Sequence, residues 1–273
     1  MNNDEKTINL LNDAMFKSLV RSPEAREIVL KVIQDLTQIS FEFLQRAEFM
    51  GGEIPKSHIK EKGKISDVII KIDSVKIILE MNQFYTKEIF DKNLQYAYAW
   101  NTRESKRNRT FLINFDAFDA FHTDKPLLDF FMRDQEKHEE SKLIASYHLI
   151  LENYKNSHYN ISEETKTFME LLQTKATMKE LKEKYKGNEV YEKLMKKIEQ
   201  LTQDEEFLGY YDLEEKHKWE LNDSYETGVE QGIKQGMHQN KLDMAKWMLK
   251  KKMNIKDIIE ATGLAKEEIT NLL

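Results

Sequence analysis

The sequence predicts a mixed α/β core, a central mixed sheet flanked by helices, followed by an all-helical extension, and three observations carry that division. Two Ile- and Val-rich runs, Ile65–Ile72 and Val75–Asn82, stand in the first half, separated by the turn residues Asp73 and Ser74. From about Ser162 onward Lys and Glu dominate, with Met169, Leu172, Met178, Leu181, Tyr185, Leu194 and Ile198 at helical intervals. Only 3 prolines occur in 273 residues, so little interrupts long helices.

Taken in order, Leu11, Met15, Phe16 and Leu19 place an amphipathic helix over residues 8–20. Ser22-Pro23-Glu24 reads as an N-cap, a proline at the first helical position and an early acid, starting a second helix that runs to Leu36 with Ile28, Val29, Val32 and Ile33 on its apolar stripe. Residues 41–50 read as a strand, and Gly51-Gly52 with Pro55 as the turn or loop after it. The hairpin follows, then a helix over 88–101, a buried strand over 110–115, and strands over 127–132 and 143–151. In the second half, Gly228, Gly232 and Gly236 fall four apart on one helix face. Each glycine costs a helix about 1 kcal/mol against alanine, so this face is expected to pack on a partner helix and to mediate self-association. The end of the chain, residues 253–269, reads as helix, turn at Gly263, helix. The expected units are a core over 1–155, a helical region over 156–206, a long helix over 207–240 and a helical hairpin over 241–273.

Composition narrows the function. A formal net charge of −6 argues against a protein that coats nucleic acid through many cations, though it permits a local basic cleft. Zero cysteines remove disulfides and thiolate metal sites. The polar start Met1-Asn2-Asn3-Asp4 carries no signal peptide, and no apolar run approaches the roughly 20 residues of a membrane span, so a cytoplasmic location is expected. Seven histidines include no pair at helical i, i+4 spacing, and no glycine-rich phosphate loop is present.

The chemistry concentrates at the hairpin. A two-residue turn at Asp73 and Ser74 pairs Ile72 with Val75 and, counting outward, Asp67 with Glu80. Opposed residues have Cβ atoms about 4.5–5.5 Å apart, where two carboxylates repel unless a cation lies between them. Alternation adds Lys71 and Asn82 to that face and sends Val68, Ile70 and Ile72 to the other. An exposed hairpin with polar residues in water is the alternative. Against it, Glu80 stands among Ile77, Ile78, Leu79 and Met81, a run typical of a buried strand, and a buried carboxylate needs a partner.

Ser66-Asp67-Val68 followed by Leu79-Glu80-Met81-Asn82 resembles the Asp…Glu-x-Lys core of the restriction-endonuclease-like, or PD-(D/E)XK, nucleases. Adding Asn12-Asp13-Ala14-Met15-Phe16-Lys17 and Asp91-Lys92-Asn93-Leu94-Gln95-Tyr96, the chain is similar to the recombination-promoting nuclease (Rpn) and transposase group within them, over most of its length. The resemblance implies a restriction-endonuclease-like core and a DNA endonuclease in which Asp67 and Glu80 ligate Mg²⁺, or Mn²⁺ or Ca²⁺, with Asp13 as a third acid. A metal in that place stabilises charge on the scissile phosphate and lowers the pKa of a bound water. The departure is Asn82, where the superfamily carries lysine. An amide offers hydrogen bonds without charge, and Lys71, on the Asp67 face, or Lys87 stands as a substitute cation. Lys56, Lys60, Lys62 and Lys64 before the motif, and Arg103, Lys106, Arg107 and Arg109 after it, are candidate DNA contacts, with a solvated surface as the alternative for each. Tyr85, Tyr96, Tyr98 and Trp100 could meet bases, although Tyr96 and Trp100, four apart, are expected to pack on the sheet. The second reading is a fold that has lost catalysis and serves as a DNA-binding or assembly protein. The C-terminal hairpin offers one cation and two carboxylates in Lys266-Glu267-Glu268, which favours a packing module over a groove reader.

Overall fold

The computed structural model describes residues 7–53, 65–102, 109–133, 136–137, 140–156 and 161–272. The chain divides into two compact units, Met1–Glu214 and Glu215–Leu273.

The first unit is built on a six-stranded sheet of order β1-β2-β3-β4-β6-β5. Its strands are β1 (Glu48–Glu53), β2 (Ile65–Ile72), β3 (Val75–Asn82), β4 (Arg109–Asp116), β5 (Leu127–Arg133) and β6 (Glu140–Ile150). β2 runs antiparallel to its neighbours β1 and β3, β3, β4 and β6 run parallel, and β5 returns antiparallel on β6. The β2–β3 register runs from Ile72/Val75 to Val68/Leu79, as a two-residue turn requires. Asp73 takes a left-handed conformation (φ 48°), which aspartate tolerates better than most residues, and Arg46 holds its carboxylate at 2.9 Å. The parallel step from β3 to β4 is made through α4 (Ile89–Thr102).

Alternation gives the sheet two different faces. Val68, Ile70, Ile77, Leu79, Phe111, Ile113, Phe115, Tyr147 and Leu149 point into the main core, beneath α1 (Asp13–Val20), α2 (Arg26–Thr37), α5 (Glu163–Leu172) and α7 (Glu189–Gln203), with α6 (Met178–Lys184) between the last two. Phe16 of α1 packs on Phe115 at 5.5 Å between ring centroids, and Phe115 on Phe168 of α5 at 6.0 Å. This apolar contact fixes where α1 lies against the sheet. The opposite face, under α4, has a small apolar patch of Ile78, Leu112 and Ala97 and also carries the buried polar residues Asn82, Asn114, Asp116, Ser146 and His148.

Three local expectations are corrected. The first helix begins at Asp13, because the buried Asn12 side chain accepts the Met15 N–H (3.1 Å) and caps it there. Pro23 is not the first helical residue: Ser22 Oγ accepts the Ala25 N–H (3.2 Å), making residues 22–25 a turn, and α2 starts at Arg26. The strand placed at 41–50 is a short helix, α3 (Phe41–Leu44), capped by Ser40, followed by β1, so Gly51 and Gly52 are strand residues. Gly51 pairs with Val68 beside a register shift, a place where glycine is common.

In the second half α8 (Glu205–Lys250) is longer than the expected 207–240. A Cβ built on Gly228, Gly232 or Gly236 meets nothing within 4 Å, so the expected close helix partner is not supplied by the described residues. In the second unit Ala245 and Met248 pack with Ile258 of α9 (Ile255–Thr262) and Ile269 of α10 (Lys266–Thr270). Gly263 closes α9 in the left-handed conformation (φ 65°), its N–H bonding to the Ile259 carbonyl at 2.8 Å.

Candidate active site

The β2–β3 register pairs residues out to Val68/Leu79, and Asp67 and Glu80 are the next residues along the two strands. Both are buried, with 8% and 4% of their surface exposed. Asp67 Oδ2 accepts the Met81 N–H at 2.6 Å, which anchors the carboxylate to the strand that carries Glu80. Its Oδ1 lies 3.2 Å from Lys17 Nζ, and Lys17 Nζ lies 2.6 Å from Asp13 Oδ2. The Asp13 and Asp67 side chains also hydrogen-bond to each other. Asp13 and Lys17, four apart on α1, therefore present one acid and one ammonium to the same carboxylate.

Electrostatics follow from that crowding. Burial, then the charge of Asp13, pushes the Asp67 carboxyl from 3.8 up to about 6, against the opposing pull of Lys17 and the Met81 N–H. Burial by itself would lower the Lys17 ammonium, yet Asp67 and Asp13 together raise it above its ordinary value. The ion pair thus favours the lysine charge while leaving Asp67 costly to ionise without a further cation.

The donor set suits a hard cation: the acids are all oxygen donors, and a magnesium ion usually takes one or two carboxylates and completes its shell with water and phosphate oxygens. Among the described residues no group of three or more His, Asp or Glu side chains already has metal-cluster spacing. Asp67 and Glu80 would hold such an ion as a pair. A lysine locked onto either acid would oppose this, and Lys17 meets that objection in part. Its side chain is 24% exposed and shared between two acids, closer to Asp13 (2.6 Å) than to Asp67 (3.2 Å), so Asp67 does not hold it alone.

The remaining expected residues fall elsewhere. Lys71 shares the Asp67 face but pairs with Lys76 beside the hairpin turn, four residues or roughly 13 Å along the strand from Asp67. Lys17, and not Lys71 or Lys87, is the ammonium that reaches Asp67. Arg109 is exposed at the start of β4, with its guanidinium 4.5 Å from the centroid of the Phe111 ring. Lys56, Lys60, Lys62, Lys64, Arg103, Lys106 and Arg107 lie outside the described residues. Asn82 is 3% exposed and its amide is engaged: Nδ2 donates to Asp116 Oδ1 at 2.6 Å and Oδ1 accepts from Asn93 Nδ2 at 3.0 Å. Among the described side chains of α4, Asn93 and Ala97 are fully buried and Tyr96 is half-buried, while the side chain of Trp100 lies outside those described.

These bonds belong to a buried network. Asp116 Oδ2 meets His148 Nδ1 at 2.8 Å, His148 Nε2 meets Ser146 Oγ at 3.2 Å, and Asn114 Oδ1 accepts from Asn93 Nδ2 at 2.9 Å. With the Nδ1 proton turned toward Asp116, Nε2 is the acceptor for the Ser146 hydroxyl. The parallel registers set Glu80 beside Asn114 and Asn114 beside His148, so a polar row crosses the sheet from the acids to β6. The sequence held a signal for it: Glu80 and Asn82, Asn114 and Asp116, and Ser146 and His148 are polar pairs at period two inside apolar strands.

A family model for the PD-(D/E)XK nuclease family transposases matches residues 10–228, a span that includes Asp13, Lys17, Asp67 and Glu80. No curated protein matches the chain.

Proposed function

Because the chain belongs to the PD-(D/E)XK nuclease family transposases, we propose that it is a cytoplasmic, metal-dependent endonuclease that hydrolyses phosphodiester bonds of DNA in support of recombination or transposition. The observation that carries this reading is the meeting of Asp67, near the start of β2, with Asp13 and Lys17 of α1, while its Oδ2 bonds the Met81 N–H next to Glu80 on β3. Asp67 and Glu80 would hold Mg²⁺, or Mn²⁺ or Ca²⁺. Bound there, a divalent cation supplies Lewis acidity toward the phosphate and a water of lowered pKa. The chain's own contributions are distinct from that. The Met81 N–H fixes the orientation of Asp67. Asp13 draws Lys17 aside and keeps it within reach. Lys17 provides the positive charge that Asn82 lacks, beside the phosphate oxygens where the transition state gathers charge. Asn82 takes no part, since its amide is spent on Asp116 and Asn93.

Nicking of supercoiled plasmid with Mg²⁺, Mn²⁺ or Ca²⁺ tests the assignment, comparing the parent with Asp67→Asn and Glu80→Gln. Loss in both variants is expected, and equal nicking by all three proteins removes the site. The ion pair on Asp67 and the absence of a motif lysine favour a second reading, a catalytically silent DNA-binding or assembly protein. Robust cleavage by rigorously purified protein disposes of it. Among the described residues no helix is long and apolar enough to cross a membrane. Val229, Ile233 and Met237, exposed at four-residue spacing beside Gly228, Gly232 and Gly236 of α8, support self-association through that face.

A further inference from the structure

We propose that the cleft between α4 and the β6–β5 side of the sheet is a pocket for one unpaired nucleobase of the DNA substrate. The cleft follows from the coverage of the sheet. α4 packs on β2, β3 and β4, and a helix about 10 Å across covers roughly two strands spaced about 4.8 Å apart. The β6–β5 side of the same face is left to a cleft of about 290 Å³, near the lower end of the roughly 300–1,000 Å³ typical of small-molecule sites. That is room for a single heterocycle.

Its walls are flat and aromatic. Phe90 and Phe121 stack at 4.9 Å with their planes 18° apart, and Phe130 adjoins Phe121 at 5.4 Å. Tyr98 of α4 and Phe130 of β5 are 48% and 46% exposed, large apolar rings left open at the mouth of the cleft. The floor is polar: Ser146 and His148 line the cleft and are held from beneath by Asn114 and Asp116. The Ser146 hydroxyl can offer its hydrogen to a base edge in place of His148 Nε2, while the His148–Asp116 bond keeps the imidazole in position. Asp91 at the rim repels phosphate, which favours a base over the sugar-phosphate backbone as the occupant.

Distance connects the cleft to the acids. Glu80, Asn114 and His148 are register partners on three adjacent strands, so Glu80 and His148 lie about 10 Å apart across two strand spacings. A scissile phosphate held at the acids would thus place the base of a neighbouring nucleotide, turned out of its stack, in the cleft against the exposed rings of Tyr98 and Phe130, with His148 packed beneath Phe90, Phe121 and Phe130. Stacking on aromatic rings accepts any base, and unstacking favours DNA that is already single-stranded or mismatched. The identity of the ligand rests on the nuclease reading; the cleft and its aromatic walls do not.

The test is fluorescence anisotropy of a short labelled single-stranded deoxyoligonucleotide in EDTA, where cleavage cannot occur, together with a series carrying one abasic residue or one 2-aminopurine at successive positions. An abasic residue at one position is expected to weaken binding by about 5- to 100-fold, and 2-aminopurine there to be quenched on binding. Tyr98→Ala and Phe130→Ala, both at half-exposed positions, should each weaken the intact oligonucleotide by a similar factor and abolish the difference from the abasic one. Equal binding of intact and abasic strands, unquenched 2-aminopurine at every position with the parent protein, or no oligonucleotide binding at all overturns the proposal. So does a change of sedimentation in the variants with DNA affinity unaltered, which would make the cleft a contact between copies of the chain. Base-dependent binding without nicking in Mg²⁺ would remove the nuclease reading alone, and nicking with base-independent binding would remove the pocket alone.

Discussion

Replacing Asp67 by asparagine is expected to stabilise the metal-free protein at neutral pH while abolishing its activity. Burial and Asp13 raise the Asp67 carboxyl from 3.8 to about 6, so between those values the folded chain binds a proton that the unfolded chain has released. Stability contributed by the protonated acid is complete below 3.8 and is lost as pH rises through about 6. At about 1.36 kcal/mol per pH unit, ionising Asp67 in the folded state costs up to about 3 kcal/mol by pH 7.5. Asparagine imitates the protonated acid: its Oδ1 can accept the Met81 N–H in place of the carboxylate, and Lys17 retains Asp13 at 2.6 Å. Urea unfolding in EDTA at pH 4, 6 and 8 measures the difference. Parent and variant should be nearly equal at pH 4, and the variant more stable at pH 8 by about 1–3 kcal/mol. Saturating Mg²⁺ should reverse the order, since a cation at 100 times its Kd adds about 2.7 kcal/mol to the form that binds it. A variant no more stable than the parent at pH 8 in EDTA would show that Lys17 already compensates the buried charge, and the argument for a waiting cation site would fail.

Lys17→Met should lower nicking by at least about tenfold while leaving plasmid binding nearly intact, because the lost interaction is made mainly with charge that develops in the transition state; an unchanged rate would remove lysine from the site. Asn82→Lys, which restores the superfamily residue, should destabilise the protein by about 1–3 kcal/mol without raising activity, since it removes the amide shared by Asp116 and Asn93; thermal melting and the nicking assay report both halves. Ile233→Lys combined with Met237→Lys should leave the monomer's stability within about 0.5 kcal/mol, both positions being exposed, and shift any oligomer toward monomer in sedimentation. Identical sedimentation of parent and variant would end the self-association proposal.

The hairpin could be read from the chain because two short-range rules agree there. A two-residue turn sets the register out to Val68/Leu79 and period-two alternation sorts the faces of the hairpin that far; Asp67 lies beyond the last pair, beside an irregularity in the β1–β2 register, and its contact with α1 needs tertiary information. The helices of the second half were legible for a similar reason, an apolar stripe repeated over many turns. Boundaries were read less well wherever a side chain competes with the backbone. Asn12, Ser22 and Ser40 each accept a backbone N–H, and each moves or creates a helix start that apolar spacing alone misplaces. Gly51 and Gly52 misled for the opposite reason, since a strand beside an irregular register tolerates glycine as a turn does.

Lys17 shows what alternation along a strand cannot supply. Lys71 stands on the Asp67 face, but alternation says nothing about distance along the strand, and four residues of extended chain carry Lys71 to the far end of the hairpin. Lys17 reaches Asp67 because Phe16, its neighbour in sequence, is buried against Phe115 and sets how α1 lies on the sheet. The charge of the site is therefore positioned by an aromatic contact on the other side of the helix. The two positions also differ in surroundings: Asn82 lies between Asp116 and Asn93, where an ammonium would be confined, whereas Lys17 is partly exposed and contacts two acids at once. On that reasoning the amide at position 82 and the lysine at position 17 are complementary, the first completing the buried polar row and the second carrying the charge that the strand position gives up.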